Sequence, residues 1–363
     1  MDVNLISKIL REIGYIFIID DLDSFSSIYV VADTSNIKED TVTNIVNISR
    51  GVVCASISEK KTRELNIPRL PLYRGNSPFN FYLSIEARHD VTTGISSSDR
   101  ATTLQALTNT KDAKLDLVTP GHIFPIVAKN GGVLVRSGIA EAALDVLGIV
   151  LKQSIEVSAF SHCLDAQGSL ATLDSLKDEI NKSAVVSISD LIKYRLNNEI
   201  LIDEYAKTTL PTANGIFRAH CYKSKIDGTE HLALIKGKLP KEKEADKSAA
   251  YLVRVQSENR YNDLFNLKGN LTLDKIQKSL AKIDSIGEGV FVYIRHPRNI
   301  FTDPESEHSF QNPKQVMSLR EYGIGAQILK TLGIESIKLL SSNNKDIVGI
   351  DLFNLKIEER ILL

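Results

Sequence analysis

Between residues 91 and 146 the chain concentrates the residue types that hold a small phosphorylated substrate. VTTGISSSDRATT at 91–103, PGHIFP at 120–125 and GGVLVRSGIAEAALDV at 131–146 bring Gly, Thr, Asp, Arg and His into close succession. Ile139 and Ala140 sit in the middle of this framework, where chemistry of that kind needs polar groups. The stretch therefore reads as the scaffold of a site from which part of the reactive set is missing.

The elements that must carry these residues alternate. YIFIID (15–20), SIYVVAD (27–33) and GVVCASI (51–57) read as strands, rich in β-branched and aromatic residues. A helix is expected over 37–50. Another is expected over 99–107, its start marked by Ser98 and Asp99, residues suited to capping free backbone N–H groups. A third over 138–151 carries Ile139, Ala142, Ala143, Val146, Leu147 and Val150 at helical spacing. VSISDLIKYRL (186–196) pairs a strand with a capped helix. The pattern resets at 199–214, and the Pro/Thr/Asn/Gly cluster there places a domain boundary near residue 205. Beyond it HLALIKG, AAYLVRVQSE and GVFVYIRHP read as strands. LREYGIGAQILKTLG (319–333) reads as a helix before the strand IKLLSS, and KLPKEKEADKS (238–248) as a charged, solvated loop. The fold class is α+β or α/β, with one domain over 1–205 and a second over 206–363.

A length of 363 residues suits two domains, each with its own core. The net charge of −1 argues against a nucleic-acid binder. Cys54, Cys163 and Cys221 are the only cysteines, widely spaced and odd in number, which points to a reducing compartment. The N-terminal segment reads as a short amphipathic helix with Leu5, Ile6, Ile9 and Leu10 on one face. No apolar run approaches the ~20 residues needed to span a bilayer. The cytoplasm and no membrane association are the expectation.

Five segments then carry a family resemblance: DD-x-D at 20–23, GVVCASIS at 51–58, TTGISSSDRATT at 92–103, PGHIFP at 120–125 and GGVLVRSG-x-x-EAALD at 131–145. In order and spacing they resemble 3,4-dihydroxy-2-butanone-4-phosphate synthase, over roughly residues 1–200. That family makes a four-carbon riboflavin precursor from ribulose 5-phosphate and releases formate, using a divalent cation, Mg²⁺ or Mn²⁺. The resemblance implies that Arg136 meets the sugar phosphate as a fork-shaped donor and that Thr93 and Gly94 line the phosphate loop. It places Asp23 at the substrate and gives His122, Cys54, Glu141 and Asp20 catalytic positions. Each has a plainer reading. His122 could be a turn residue after Pro-Gly, Cys54 a small buried hydrophobe, the aspartates the end of a strand, and Asp99 with Arg100 a helix cap and a surface ion pair.

The departures fall on the metal ligands. The family follows its DD-x-D with Arg, Glu, Asn, Glu, Gly, Asp, whereas here Ser24, Phe25, Ser26, Ser27, Ile28 and Tyr29 follow. Phe25 takes a metal-binding Glu position, and Ile139 takes the place of a histidine ligand. A later catalytic Glu aligns with His162. Neither Phe nor Ile can ligate a cation or move a proton.

Residues 208–363 resemble GTP cyclohydrolase II, through LPTANGIF, DGTEHLALIKG, LVRVQSE, GVFVYIR and REYGIGAQILKTLG. Three thiolates hold zinc in that family. Here the positions fall on Asn259, Asn270 and Thr272, so a zinc cofactor is not expected. The family's Gly/Arg-rich turn becomes Arg295, His296, Pro297, Arg298, Asn299, Ile300. Arg320 and Tyr322 persist as candidate substrate contacts, although an arginine at a helix start is commonly a surface residue. His220 and Cys221 are neighbours on one strand and should face opposite ways.

The two resemblances imply a degenerate riboflavin-biosynthesis paralogue with a binding or regulatory role. Its ligands would be a sugar phosphate and a GTP-like nucleotide, and it would form a homodimer or a heterodimer with an active homologue. The alternatives are a surviving butanone-phosphate synthase and a changed enzyme for which His162 and His296 are the only hints.

Overall fold

The computed structural model describes residues 1–70, 81–242, 250–259, 263, 272–296, 319–341 and 355–363. The chain divides into two compact units, Met1–Ile192 and Lys193–Leu363.

In the first unit, α1 (Val3–Ile13), β1 (Ile16–Asp20), β2 (Ser27–Asp33), α2 (Glu39–Ser49), β3 (Val53–Ser58), α3 (Glu59–Leu65), β4 (Ile85–Ala87), α4 (Ser97–Asn109), α5 (Ala113–Asp116), β5 (Leu117–Ala128), α6 (Ile139–Leu151), β6 (Val157–His162), α7 (Lys177–Ile180), β7 (Val185–Ser187) and α8 (Ile188–Asn198, which runs on into the second unit) follow in order. The seven strands form one mixed sheet ordered β4-β5-β3-β6-β2-β1-β7. Strand alternation divides its side chains cleanly. Phe17, Val30, Val53, Ala55, Ala159 and Ile123 point to one face, where Val42 and Ile45 of α2 and Leu104 and Leu107 of α4 close a continuous core. On the opposite face lies α6, whose Ala142, Ala143, Val146, Leu147 and Val150 are buried, as the helical spacing predicts.

Two local expectations need correction. Asp2 caps α1 by accepting from the N–H groups of Asn4 and Leu5, and its inward face is Ile6, Ser7 and Leu10; Leu5 points to solvent. The cap of α4 is Ser96, whose Oγ accepts from the Asp99 N–H at 3.0 Å, rather than Ser98 or Asp99. Asp99 is turned inward instead.

The second unit carries β8 (Ile202–Thr212), β9 (Gly215–Ser224), β10 (Glu230–Lys236), β11 (Tyr251–Ser257), a helix at Thr272–Ile286, β12 (Gly289–Ile294), a helix at Leu319–Thr331, β13 (Ser336–Ser341) and β14 (Lys356–Leu362). The order is β14-β13-β11-β12-β10-β9-β8. The strands from β14 to β12 pair in parallel and those from β12 to β8 antiparallel. Leu280 and Ile283 of the first helix pack on Phe217, Ala219, Leu234, Leu252 and Phe291. The cluster at 211–215, read as a boundary, is the turn of the β8–β9 hairpin, with the Thr212 hydroxyl donating to the Gly215 carbonyl at 2.8 Å. Residue 205 falls within β8. Of the charged loop at 238–248, Pro240–Glu242 form a 3₁₀ turn and residues 243–248 lie outside the described residues. Among the described residues no helix is long and apolar enough to cross a membrane.

Candidate functional site

The best-defined polar constellation of the first unit is built around a residue that the sequence did not single out. Glu86, on the short strand β4, is only 7% exposed. Its Oε1 accepts from the Thr103 hydroxyl at 2.6 Å, and its Oε2 lies 2.7 Å from His122 Nδ1 and accepts from the His122 N–H at 3.2 Å. Gly94 roofs the pair. Its φ is +85°, and a Cβ there would lie 1.9 Å from Glu86 Oε2 and 2.6 Å from His122 Nδ1, so only glycine fits. The loop is held from beneath by Asp99, which accepts from the Thr92 N–H and hydroxyl and from the Gly94 N–H. These hydrogen bonds lower the Asp99 pKa. Thr93 sits exposed at the loop's crest. His122 is thus anchored rather than a free turn residue, and Asp99 is neither a cap nor half of a surface ion pair.

Strand register gathers the other candidates at the same end and on the same face of the sheet. Cys54 pairs with Phe124 and Phe160, Tyr29 with His162, and Asp20 with Ser27. Since i and i+2 share a face, His122, Cys54, His162, Tyr29 and Asp20 line one surface. Tyr29 and His162 stack with ring centroids 4.5 Å apart. Burial, aided by nearby Asp23 and Asp21, lifts the Asp20 carboxyl above its ordinary range. For Asp23 a burial cost is outweighed by hydrogen bonds from Ser27, Phe25 and Ser26, and its pKa falls. Phe25, in the loop after β1, is 74% exposed.

Burial pushes the Cys54 thiol up to about 12 and that of Cys163 likewise. At pH 8 the thiolate is then on the order of one part in ten thousand, which suits a small buried hydrophobe and not a nucleophile. Iodoacetamide at pH 8 is expected to label Cys221 first, because it is the least buried of the three. Cys54 and Cys163 should react only in denaturant, as read by peptide mass spectrometry. Rapid native labelling of Cys54 would contradict the packing.

Arg136 and Glu141 form a separate group. Glu141 is 0% exposed; its Oε1 accepts from Arg136 Nε at 2.7 Å and from the Lys129 N–H at 2.7 Å. Arg136 also donates to the Val127 carbonyl at 2.8 Å. Burial raises the Glu141 pKa, opposed by the Arg136 charge and these hydrogen bonds. Val127 lies five residues along β5 from His122, a separation of roughly 17 Å at strand spacing. Within one chain the two groups therefore sit at opposite ends of the sheet. Ile139, 2% exposed, opens α6 beside Arg136 and serves the apolar face of its helix.

In the second unit the polar residues gather at the C-terminal ends of β11 and β12. Ser257 Oγ lies 2.9 Å from His296 Nε2 and donates to Glu321 Oε1, which is 3.0 Å from the same imidazole nitrogen. Glu258 accepts from the His296 N–H at 2.9 Å. Arg320 is paired with Asp227 rather than free at the surface; against a burial cost, the Thr229 N–H and Arg320 hold that carboxyl down to about 2. Tyr322 is half-buried, and burial raises its phenol pKa. Burial also takes His231 to about 4. Asn259 donates its backbone N–H to Asp263 at 2.8 Å, Thr272 begins a helix, and Asn270 with residues 297–300 lies outside the described residues. On β9 His220 is buried and Cys221 half-buried. Among the described residues no three His, Cys, Asp or Glu side chains converge as a metal site. Glu86 carries no local signal, being an isolated acidic residue on a short strand, whereas Asp227, Glu258 and Glu321 fall inside the segments of the second resemblance without being marked there as site residues.

Comparison with known proteins agrees with this two-part layout. Residues 6–194 match the family model of 3,4-dihydroxy-2-butanone 4-phosphate synthase, and residues 203–362 that of GTP cyclohydrolase II. The chain is 33% identical over 368 residues to a monofunctional riboflavin biosynthesis protein, RIBA 2, of Arabidopsis thaliana, covering 98% of this chain and 75% of the relative. It is 33% identical over 371 residues to RibBA of Bacillus velezensis, covering 98% and 91%. Among solved structures, RibBX, a two-domain 3,4-dihydroxy-2-butanone 4-phosphate synthase from A. baumannii, superposes with a TM-score of 0.77 at 28% identity over 99% of each chain.

Proposed function

The chain belongs to the riboflavin-biosynthesis family in which a butanone-phosphate synthase domain precedes a GTP cyclohydrolase II domain, and we propose that it is a degenerate member that binds ligand without either parent turnover. The observation that carries this reading is the fate of the ligand positions. Phe25 is a solvent-facing phenyl ring and Ile139 a buried core residue, so the residues present do not fit Mg²⁺ or Mn²⁺. Asn259, Asn270 and Thr272 do not fit zinc. What persists is a frame for a sugar phosphate: the His122–Glu86 pair under Gly94, with Thr93 at its rim, and Arg136 beside the start of α6, where helix N–H groups favour an anion. Arg320 and Tyr322 are the corresponding contacts for a GTP-like nucleotide.

Because the His122 and Arg136 groups lie at opposite ends of one sheet, a second chain is needed to bring them onto one ligand. That supports a homodimer, or a heterodimer with an active homologue in which the partner supplies the missing metal ligands. Three free cysteines support a cytoplasmic setting.

A second reading, a surviving butanone-phosphate synthase, is favoured by the anchored His122 and by the likeness to the two-domain synthase of A. baumannii. Formate release decides between them. The purified protein, given ribulose 5-phosphate with Mg²⁺, is expected to release none while binding the sugar phosphate saturably by calorimetry. Sustained formate release would establish the second reading instead.

A further inference from the structure

We propose that Glu86 is a positioning residue that decides what His122 can recognise. It holds the imidazole proton on Nδ1, so that Nε2 meets the ligand as a hydrogen-bond acceptor and selects a hydroxyl-bearing phosphate compound. The inference rests on the reading of this frame as a sugar-phosphate site and adds the selection rule.

The direction of the hydrogen bonds follows from what converges on the carboxylate. Oε1 already accepts from the Thr103 hydroxyl and Oε2 from the His122 N–H. A carboxylate only accepts, so the third close partner, Nδ1 at 2.7 Å, must bring the hydrogen. Arg100, half-buried on α4, lies within electrostatic reach of Glu86. With Nδ1 committed as donor, the neutral ring has an acceptor at Nε2.

The arrangement is also rigid. Thr103, which holds Oε1, accepts the Ala87 N–H at 3.0 Å, tying α4 to the strand that carries Glu86. Gly94 closes over both partners with no room for a side chain, and Asp99 fixes the Gly94 N–H at 2.9 Å. Neither the carboxylate nor Nδ1 can turn away without moving this loop. The His122 side chain is 43% exposed, so the edge opposite Glu86 reaches solvent on the face that also presents Cys54, His162 and Asp20. A ligand hydroxyl can donate to Nε2 there, whereas a carbonyl, carboxylate or bare phosphate oxygen, having only lone pairs to offer, would meet another lone pair.

Long-range proton–nitrogen spectra of the ¹⁵N-labelled full chain at pH 8 test this, with His122 assigned by loss of its signals in His122→Asn. The wild type is expected to show a protonated Nδ1 and a bare Nε2. Glu86→Leu should shift the ring toward the Nε2–H form and weaken ribulose 5-phosphate binding at least tenfold, with inorganic phosphate affected less than twofold. Glu86→Asp should restore both. A wild-type ring protonated at Nε2 would overturn the proposal, and that spectrum decides even if the leucine variant fails to fold. Unchanged ribulose 5-phosphate affinity in a folded Glu86→Leu protein would overturn the selection rule. If the wild type shows the Nδ1–H ring but binds no ribulose 5-phosphate, the sugar-phosphate reading falls and with it the choice of ligand.

Discussion

Dialysed against micromolar zinc and then against buffer, the protein is expected to retain far less than one zinc ion per chain by mass spectrometry, and EDTA to leave its melting temperature unchanged. A structural or catalytic zinc held by three thiolates contributes strongly to the stability of its site; in small zinc-dependent peptides the apparent value is on the order of 10 kcal/mol. Its ligands must be soft and negatively charged, and Asn259, Asn270 and Thr272 are neither. The neighbouring groups are engaged with one another, Ser257 with His296 and Glu321, and Glu258 with the His296 N–H. Among the described residues no group of three His, Cys, Asp or Glu side chains is placed to hold a metal ion in place of the lost thiolates. GTP supplied with Mg²⁺ and Zn²⁺ should accordingly yield no formate. One zinc per chain, removed by EDTA with a large fall in melting temperature, would show that other ligands have taken over.

The features legible in the sequence were those set by local residue type. Strand β2 spans the residues that SIYVVAD predicts, and the six apolar positions read along α6 are all buried. That Phe25 and Ile139 carry no oxygen, nitrogen or sulfur to offer a cation is likewise a matter of residue type alone. What stayed hidden depended on partners distant in sequence. Glu86 becomes the anchor of His122 only through antiparallel pairing of β4 with β5, across a register shift between Ile85 and Glu86. Asp99 looks like a capping residue until the Thr92–Gly94 loop folds over it. The Pro/Thr/Asn/Gly cluster at 211–215 has the composition of a linker and of a tight hairpin turn alike, and only the pairing of β8 with β9 separates them. The split between the His122 and Arg136 groups was likewise invisible, since the two motifs are close in sequence but β5 runs between them.

Arg136→Ala is expected to destabilise the first unit by about 3 kcal/mol at pH 7.5, at the lower end of what removing one partner of a buried pair costs, because 31% of the Arg136 side chain meets solvent. The loss comes from Glu141, which is 0% exposed and whose Oε2 has no hydrogen-bond partner among the described residues. With arginine gone, only backbone N–H groups, those of Lys129 and of Glu141 itself, are left among the described residues to support its charge. The pH dependence follows from the sign of the shift. Burial already raises the folded pKa of Glu141 above its ordinary value, so the folded state binds this proton more tightly than the unfolded chain. The group's penalty is therefore absent in acid, grows as pH rises through the unfolded value, and is complete above the folded one. Removing Arg136 raises the folded value further. The difference between variant and wild type should shrink at pH 5 and widen toward pH 8 in urea unfolding curves. The double variant Arg136→Ala/Glu141→Gln should recover most of the loss, since a neutral amide needs no counter-charge. A pH-independent loss, unchanged in the double variant, would mean that Arg136 acts through packing alone. The same coupling bears on ligand binding: an anion at Arg136 must share the guanidinium with Glu141, so Glu141→Gln should strengthen sugar-phosphate binding at pH 7.5 while Arg136→Ala abolishes it.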